Sequence, residues 1–218
     1  VRYLTAALAL WIPASAESLH YTINWQSGLS LGEAALHSTQ SDSGLWSFEL
    51  LLDAAVPGFT IRDEYRSRAT AQLCSETLER IVRRGQRRSQ ETVTFDPEAR
   101  RVRRVTEGGG SSEMEAPSCA HDAMAFLQFL RQELAQGRLA ANQSVFLGAR
   151  YDLQLSVAGS ETVRQGEARL EADRVRIGIR GPKAELAVEV LFARDAARTP
   201  VLARLPLALG TFTVELLP

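Results

Sequence analysis

Leu19-His20-Tyr21-Thr22-Ile23-Asn24-Trp25 is the stretch on which the fold turns. Leu19, Tyr21, Ile23 and Trp25 fall on one side of an extended chain. His20, Thr22 and Asn24 fall on the other, which is the period of a half-buried strand. The pattern returns repeatedly towards the C-terminus. Gly28 marks a turn, and Leu29 to Thr39 reads as the returning strand, eased by Gly32. After the turn residues Ser41-Asp42-Ser43-Gly44, the residues Trp46, Phe48, Leu50 and Leu52 alternate again. Pro57-Gly58 breaks the pattern, and Ile61 to Thr70 resumes it with more arginine.

From Leu78 to Thr106 the expected strands are short and heavily charged, and Glu107 to Ser112 reads as a flexible loop. In the second half, Tyr151, Leu153, Leu155 and Val157 alternate, as do Val175, Ile177 and Ile179. Leu186, Val188, Val190 and Phe192 follow, and Phe212, Val214 and Leu216 close the series. One segment breaks this period. Between Asp122 and Gln136, Phe126, Leu127, Leu130 and Leu134 recur at helical spacing, with Asp122 as the expected N-cap and Gly137 as the stop. The expectation is a mainly β protein: an antiparallel meander of roughly nine to eleven strands, a barrel or half-barrel, with one mid-chain helix packed on it.

Arg2, the apolar run Leu4 to Ile12 and Ala14-Ser15-Ala16 have the layout of a secretory signal peptide. The alternative is a buried first element. The apolar run is too short to span a bilayer. Residues 1–16 are therefore expected to direct export, and 17–218 to form a single β-rich domain without a transmembrane span. Export to the periplasm or beyond makes Cys74 and Cys119 candidates for a disulfide bond, the alternative being two separately buried thiols. In the chain-entropy picture such a bridge stabilises by roughly 4 kcal/mol.

Charge excludes one class of partner. The 25 basic and 26 acidic residues leave a net charge of −1, so no global field favours nucleic acid. Locally, nine arginines fall between Arg80 and Arg104, against Glu91, Asp96 and Glu98. Arg83, Arg84, Arg87, Arg88, Arg101, Arg103 and Arg104 form a candidate anion-facing surface; the plainer alternative is a solvated hairpin whose charges protect its edge. The segment lacks the interleaved aromatics of a single-strand nucleic-acid platform.

No metal, cofactor or catalytic constellation stands out. Gly28-Leu29-Ser30-Leu31-Gly32 matches the nucleophile-elbow pattern, but that chemistry needs a strand before the serine and a helix after it. His121-Asp122 lacks the further ligands of a metal centre.

The post-signal chain resembles the bacterial exported family known as domain of unknown function 3108. The resemblance is carried by Tyr21-Thr22-Ile23-Asn24-Trp25 with Gly32, and by Cys119-Ala120-His121-Asp122 running into a helix that reaches Leu130-Arg131. It is carried also by the Asp195 to Pro200 turn with Gly210-Thr211-Phe212-Thr213-Val214-Glu215-Leu216. Met124-Ala125 departs from the family's Leu-Ser pair. The resemblance implies a periplasmic or surface β-rich protein and no catalytic residues.

These readings lead to a non-enzymatic envelope protein that holds a lipid or other amphiphile. Inward-facing Trp25, Trp46, Phe48, Tyr151 and Phe192 are the expected cavity lining, with core packing as the alternative. The alternative function is an interaction or assembly protein binding an envelope protein or anionic polysaccharide; a hydrolase using Ser30 is the remote one.

Overall fold

The computed structural model describes residues 15–218 except 57, 183–184 and 208–209. Most of the segment expected to be a signal peptide lies outside the described residues, and Ser15 and Ala16 open the first strand. Eight strands precede the helix: β1 (Ser15–Trp25), β2 (Ser30–Gln40), β3 (Trp46–Val56), β4 (Phe59–Ala69), β5 (Ser75–Arg84), β6 (Arg87–Asp96), β7 (Arg101–Thr106) and β8 (Ser111–Glu115). Helix α1 spans Ala123–Ala135. Six strands follow: β9 (Asn142–Phe146), β10 (Arg150–Gln165), β11 (Ala168–Arg180), β12 (Glu185–Ala193), β13 (Pro200–Leu207) and β14 (Gly210–Leu216).

All fourteen strands form one sheet in the order β8-β7-β6-β5-β4-β3-β2-β1-β14-β13-β12-β11-β10-β9. Each paired strand runs antiparallel to its neighbour, and β1 meets β14 at mid-sheet through Tyr21↔Leu216 to Trp25↔Phe212. The expected meander is therefore present, with a single helix among the described residues. Among the described residues the strand count is corrected to fourteen, and β8 and β9 do not pair to close the sheet. The missed strands have weak signatures: β8 carries Met114 as its sole large apolar residue, β9 only Val145 and Phe146, and β13 contains Pro200 and Pro206. Ser111 and Ser112, expected in a loop, begin β8.

Curvature is built in by irregular positions. The β1–β2 register shifts between Ile23 and Asn24, beside Gly32. Gly32 has φ +157°, and a Cβ there would stand 2.1 Å from the Asp53 carbonyl oxygen, so only glycine lets β2 lie this close to β3. A second irregularity in β10, between Val157 and Ser160, bends the β10–β11 hairpin. Its tip folds over the outer sheet face, where Val163 and Leu170 pack on Leu191, Val201 and Leu202. Arg204 fixes the flap by a two-pronged pair with Glu161.

The two edges overlap instead of hydrogen-bonding. Phe146 of β9 sets its ring edge-on to Phe95 of β6 at 6.1 Å. The Leu147 carbonyl accepts a hydrogen bond from Arg80 Nη1 at 3.4 Å. Between the edges runs the segment before α1: the Ala120 carbonyl accepts from Ser75 N at 2.8 Å, and the His121 carbonyl from Phe146 N at 2.9 Å. That short run stitches one half of the molecule to the other.

Alternate turns of a meander lie at the same end. Helix α1 is held at the end that carries the β4–β5 and β12–β13 turns. Its N-cap Asp122 bonds Ser67 and Ser75, and Arg131 bonds Glu17 and the Ala197 carbonyl. The helix thus plugs one end of a half-barrel and turns Phe126, Leu130 and Leu134 towards the β10–β12 wall.

Candidate functional site: an apolar cavity floored by the helix

Helix α1 leaves part of the interior unfilled. Ala123, Met124, Phe126, Leu127 and Leu130 face a cavity of about 540 Å³. Tyr21, Leu36 and Leu50 wall it on one side, and Tyr151, Leu153, Ile177 and Val190 on the other. The inward positions of strands from both halves of the sheet therefore converge there, as the period-two pattern dictates. A volume of this size falls within the roughly 300–1,000 Å³ of ordinary small-molecule sites.

Among the described residues no charged side chain lines the cavity. The side-chain polar groups on its wall are the hydroxyls of Tyr21 and Tyr151. Tyr21 already donates to the Pro200 carbonyl at 3.0 Å, and burial pushes its phenol above the ordinary value, so it stays protonated. Such walls offer contact to hydrocarbon and nothing to a buried charge.

Of the five aromatics expected to line a cavity, Tyr151 does so. Its ring lies under the β11–β12 turn, where a Cβ on Gly181 would stand 2.4 Å from it. The others pack elsewhere. Trp46 and Phe48 are buried and stacked on each other at 5.6 Å. Trp25 stacks on Phe212 at 6.1 Å, and Phe192 is fully buried in the core beside α1. Alternation assigns a side chain to the inner face, but it does not tell filled space from unfilled. Most of the lining residues that the expectation missed are aliphatic, and the helical stripe Phe126, Leu127, Leu130 was their visible signal.

The helix start is the most densely bonded corner. Asp122 is fully buried and accepts from Ser67 Oγ at 2.5 Å, Ser75 Oγ at 2.6 Å, Met124 N at 2.8 Å and Ala125 N at 3.2 Å. It is the N-cap expected from sequence. The disulfide Cys74–Cys119, with Cα atoms 4.7 Å apart, ties the same two segments together.

His121 stacks on Phe129 at 5.0 Å, and its Nδ1 lies 2.9 Å from the Leu73 carbonyl. Burial pushes the imidazole below its ordinary value, outweighing the raising effects of that carbonyl and of Asp122. The folded state therefore resists the proton that the unfolded chain accepts near pH ~6.5. This contribution is whole above that pH and is lost as pH falls through it towards the folded value. Lowering pH from about 7.5 to about 5 should lower the melting temperature, and His121→Gln should flatten the slope in that window. Unchanged slopes in the variant, read by calorimetry, would refute the assignment. Asp173, held low by Arg194 and Arg198, and Glu161, held low by Arg204, lose their contribution only at more acid pH.

Beyond the Leu147–Ala149 loop lies a polar group on the inner face of β4–β7. Arg80 Nη1 donates to Glu91 Oε2 at 2.8 Å and its guanidinium lies 5.7 Å from the Tyr65 ring centre. Arg84 donates to the buried Asp63 at 2.8 Å, and Arg104 reaches Glu91 at 3.9 Å. Gly148, at φ +73°, leaves room for this group: a Cβ there would stand 2.6 Å from Arg80 Nη1.

The seven arginines of the candidate anion-facing surface are consequently split. Arg84 pairs across the hairpin with Arg87, and Arg104 opposes Val93, which places all three on the inner face. Arg83, opposite Arg88, faces outward with Arg101 and Arg103, and Arg101 is paired with Glu113. One run in sequence becomes two surfaces because neighbours on a strand point apart.

Ser30 opens β2 and shares a 3.3 Å contact with Thr22 Oγ1; a strand, not a helix, follows it. The elbow geometry is absent. Ser18 and His37 pair at 2.8 Å directly across β1–β2, but exposed on the outer face. Among the described residues no group of three metal-ligating side chains occurs, and no helix is long and apolar enough to cross a membrane.

The family of proteins of unknown function DUF3108 matches residues 20–217, from β1 to the end of β14. The chain belongs to that family. DUF3108 membership covers the whole sheet, the helix and the cavity walls. No curated protein matches the chain. A solved structure similar to this DUF3108 chain is the β-barrel-like protein of domain of unknown function DUF1849 from Brucella abortus. The two share 7% identity with a TM-score of 0.67 over 92% of this chain and 94% of that one. At such identity the likeness is one of fold.

Proposed function

We propose that this chain is an exported, non-enzymatic binding protein that holds the hydrocarbon part of an amphiphile between helix α1 and the curved sheet. The carrying observation is the cavity of about 540 Å³, whose described wall residues include no charged side chain and whose Tyr21 hydroxyl is already engaged. Filling it with an acyl chain gains about 0.8 kcal/mol per buried CH₂. Any charged headgroup stays outside, because no described wall residue compensates it. The Cys74–Cys119 bridge supports an oxidising compartment.

Ala203 is a half-buried wall residue, and Ala203→Phe fills cavity space without introducing polarity. The wild type should bind a fluorescent fatty acid, and lipid extracted from the native protein should exceed the background of an unrelated protein. Ala203→Phe should weaken the fluorescent probe by about tenfold, a loss of roughly 1.4 kcal/mol. A wild type that binds no probe, or a variant that binds it equally, would overturn the reading.

A further inference from the structure

We propose that the end of the half-barrel opposite helix α1 is a docking surface for an anionic lipid bilayer. That end carries the β1–β2, β3–β4, β5–β6 and β13–β14 turns, because alternate turns of the meander share an end. Three of them hold large apolar side chains in water: Leu29 is 56% exposed, Phe59 39% and Leu207 48%. Their hairpins are consecutive in the sheet. Neighbouring tips touch, with Thr211 N donating to Gln26 Oε1 at 3.4 Å and the Phe59 ring 3.7 Å from a Cβ built on Gly85.

Beside Phe59, the β5–β6 turn supplies Arg84, Arg87 and Arg88, which share a shallow pocket of about 720 Å³ with that ring. Arg83 adds a fourth guanidinium at the same tip. The acids at this end are fewer: the buried Asp63, bonded to Arg84, Glu107 on the adjoining β7–β8 turn, and Glu33 opposite Asp53 on β2. Arg62 and Arg180 at this end are paired with Asp53 and Glu185. The turns of the opposite end mix the two signs instead: Asp42, Glu98, Glu167 and Asp195 stand there with Arg100, Arg194 and Arg198.

A row of separate apolar tips flanked by guanidinium groups matches the bilayer boundary, where hydrocarbon and phosphate lie within one side-chain length. A folded protein partner would instead present a continuous complementary face. Docking here stands apart from cavity occupancy: a protein that took up no fatty acid would still sediment with vesicles.

The test is co-sedimentation of the full chain with phosphatidylcholine vesicles, with and without phosphatidylglycerol. The wild type should bind the anionic vesicles at least about tenfold better, and added salt should weaken that binding. Arg87→Glu with Arg88→Glu should lose roughly tenfold or more. Arg164→Glu with Arg169→Glu, an equal charge change at the opposite end, should bind as the wild type does. Leu29→Asp should lose vesicle binding while leaving any affinity for a soluble acidic polysaccharide unchanged. Wild type remaining in the supernatant with both vesicles would overturn the proposal. So would equal losses from the two arginine pairs, or a Leu29→Asp protein that sediments normally.

Discussion

Asp122→Ala is expected to lower the stability of the fold by about 4 kcal/mol, read as a shift of the urea midpoint at constant slope. Two contributions combine. Loss of a helix N-cap costs about 1 kcal/mol. Ser67 and Ser75 then keep buried hydroxyls without their acceptor, at about 1–3 kcal/mol each. Asp122→Asn should cost about half as much, since its amide oxygen still caps Met124 and Ala125 while its NH₂ meets only one rotated hydroxyl. The same carboxylate holds the first turn of α1 against β4 and β5, so the cavity floor loosens with it. A stability of the alanine variant within about 1 kcal/mol of wild type would contradict this account.

Removing the disulfide should cost a similar amount. Cys74 and Cys119 are 45 residues apart, and opening a loop of that length releases roughly 4 kcal/mol of denatured-state entropy. Cys74→Ser with Cys119→Ser, or reduction of the wild type, checks it by the same unfolding curve. The bridge and the Asp122 bonds fasten the same two segments, Leu73–Ser75 and Cys119–Asp122, so the effects are coupled. Combining the cysteine changes with Asp122→Ala should therefore destabilise by less than the two losses together. Full additivity would show that the two fastenings act on separate units.

Much of this was legible in the residues, for identifiable reasons. Leu19 to Trp25 became a strand with its apolar side chains inward because one face of the sheet is buried, the condition under which alternation carries information. Asp122 capped its helix because that geometry depends on local sequence. What escaped was set by distant contact. β9 has two apolar residues, and it is a strand because β10 pairs with it and the His121 carbonyl meets its end. The cavity was mis-assigned to aromatics because size says nothing about what stands opposite. Trp46 has Phe48 beside it and is buried, whereas the smaller Leu36 faces open space. Splitting of the arginines, by contrast, was present in their parity, once the β5–β6 turn was fixed at Gly85-Gln86.

The pairing of β1 with β14 bears on how the molecule comes into being. A strand near the beginning of the described chain waits, with one row of amides and carbonyls bare, until residues 210–216 arrive beside it. Until then both arms are open ribbons with sticky flanks, vulnerable to pairing with another copy. So remote a seam makes acquisition of the native state slow by comparison with a helical chain of equal length.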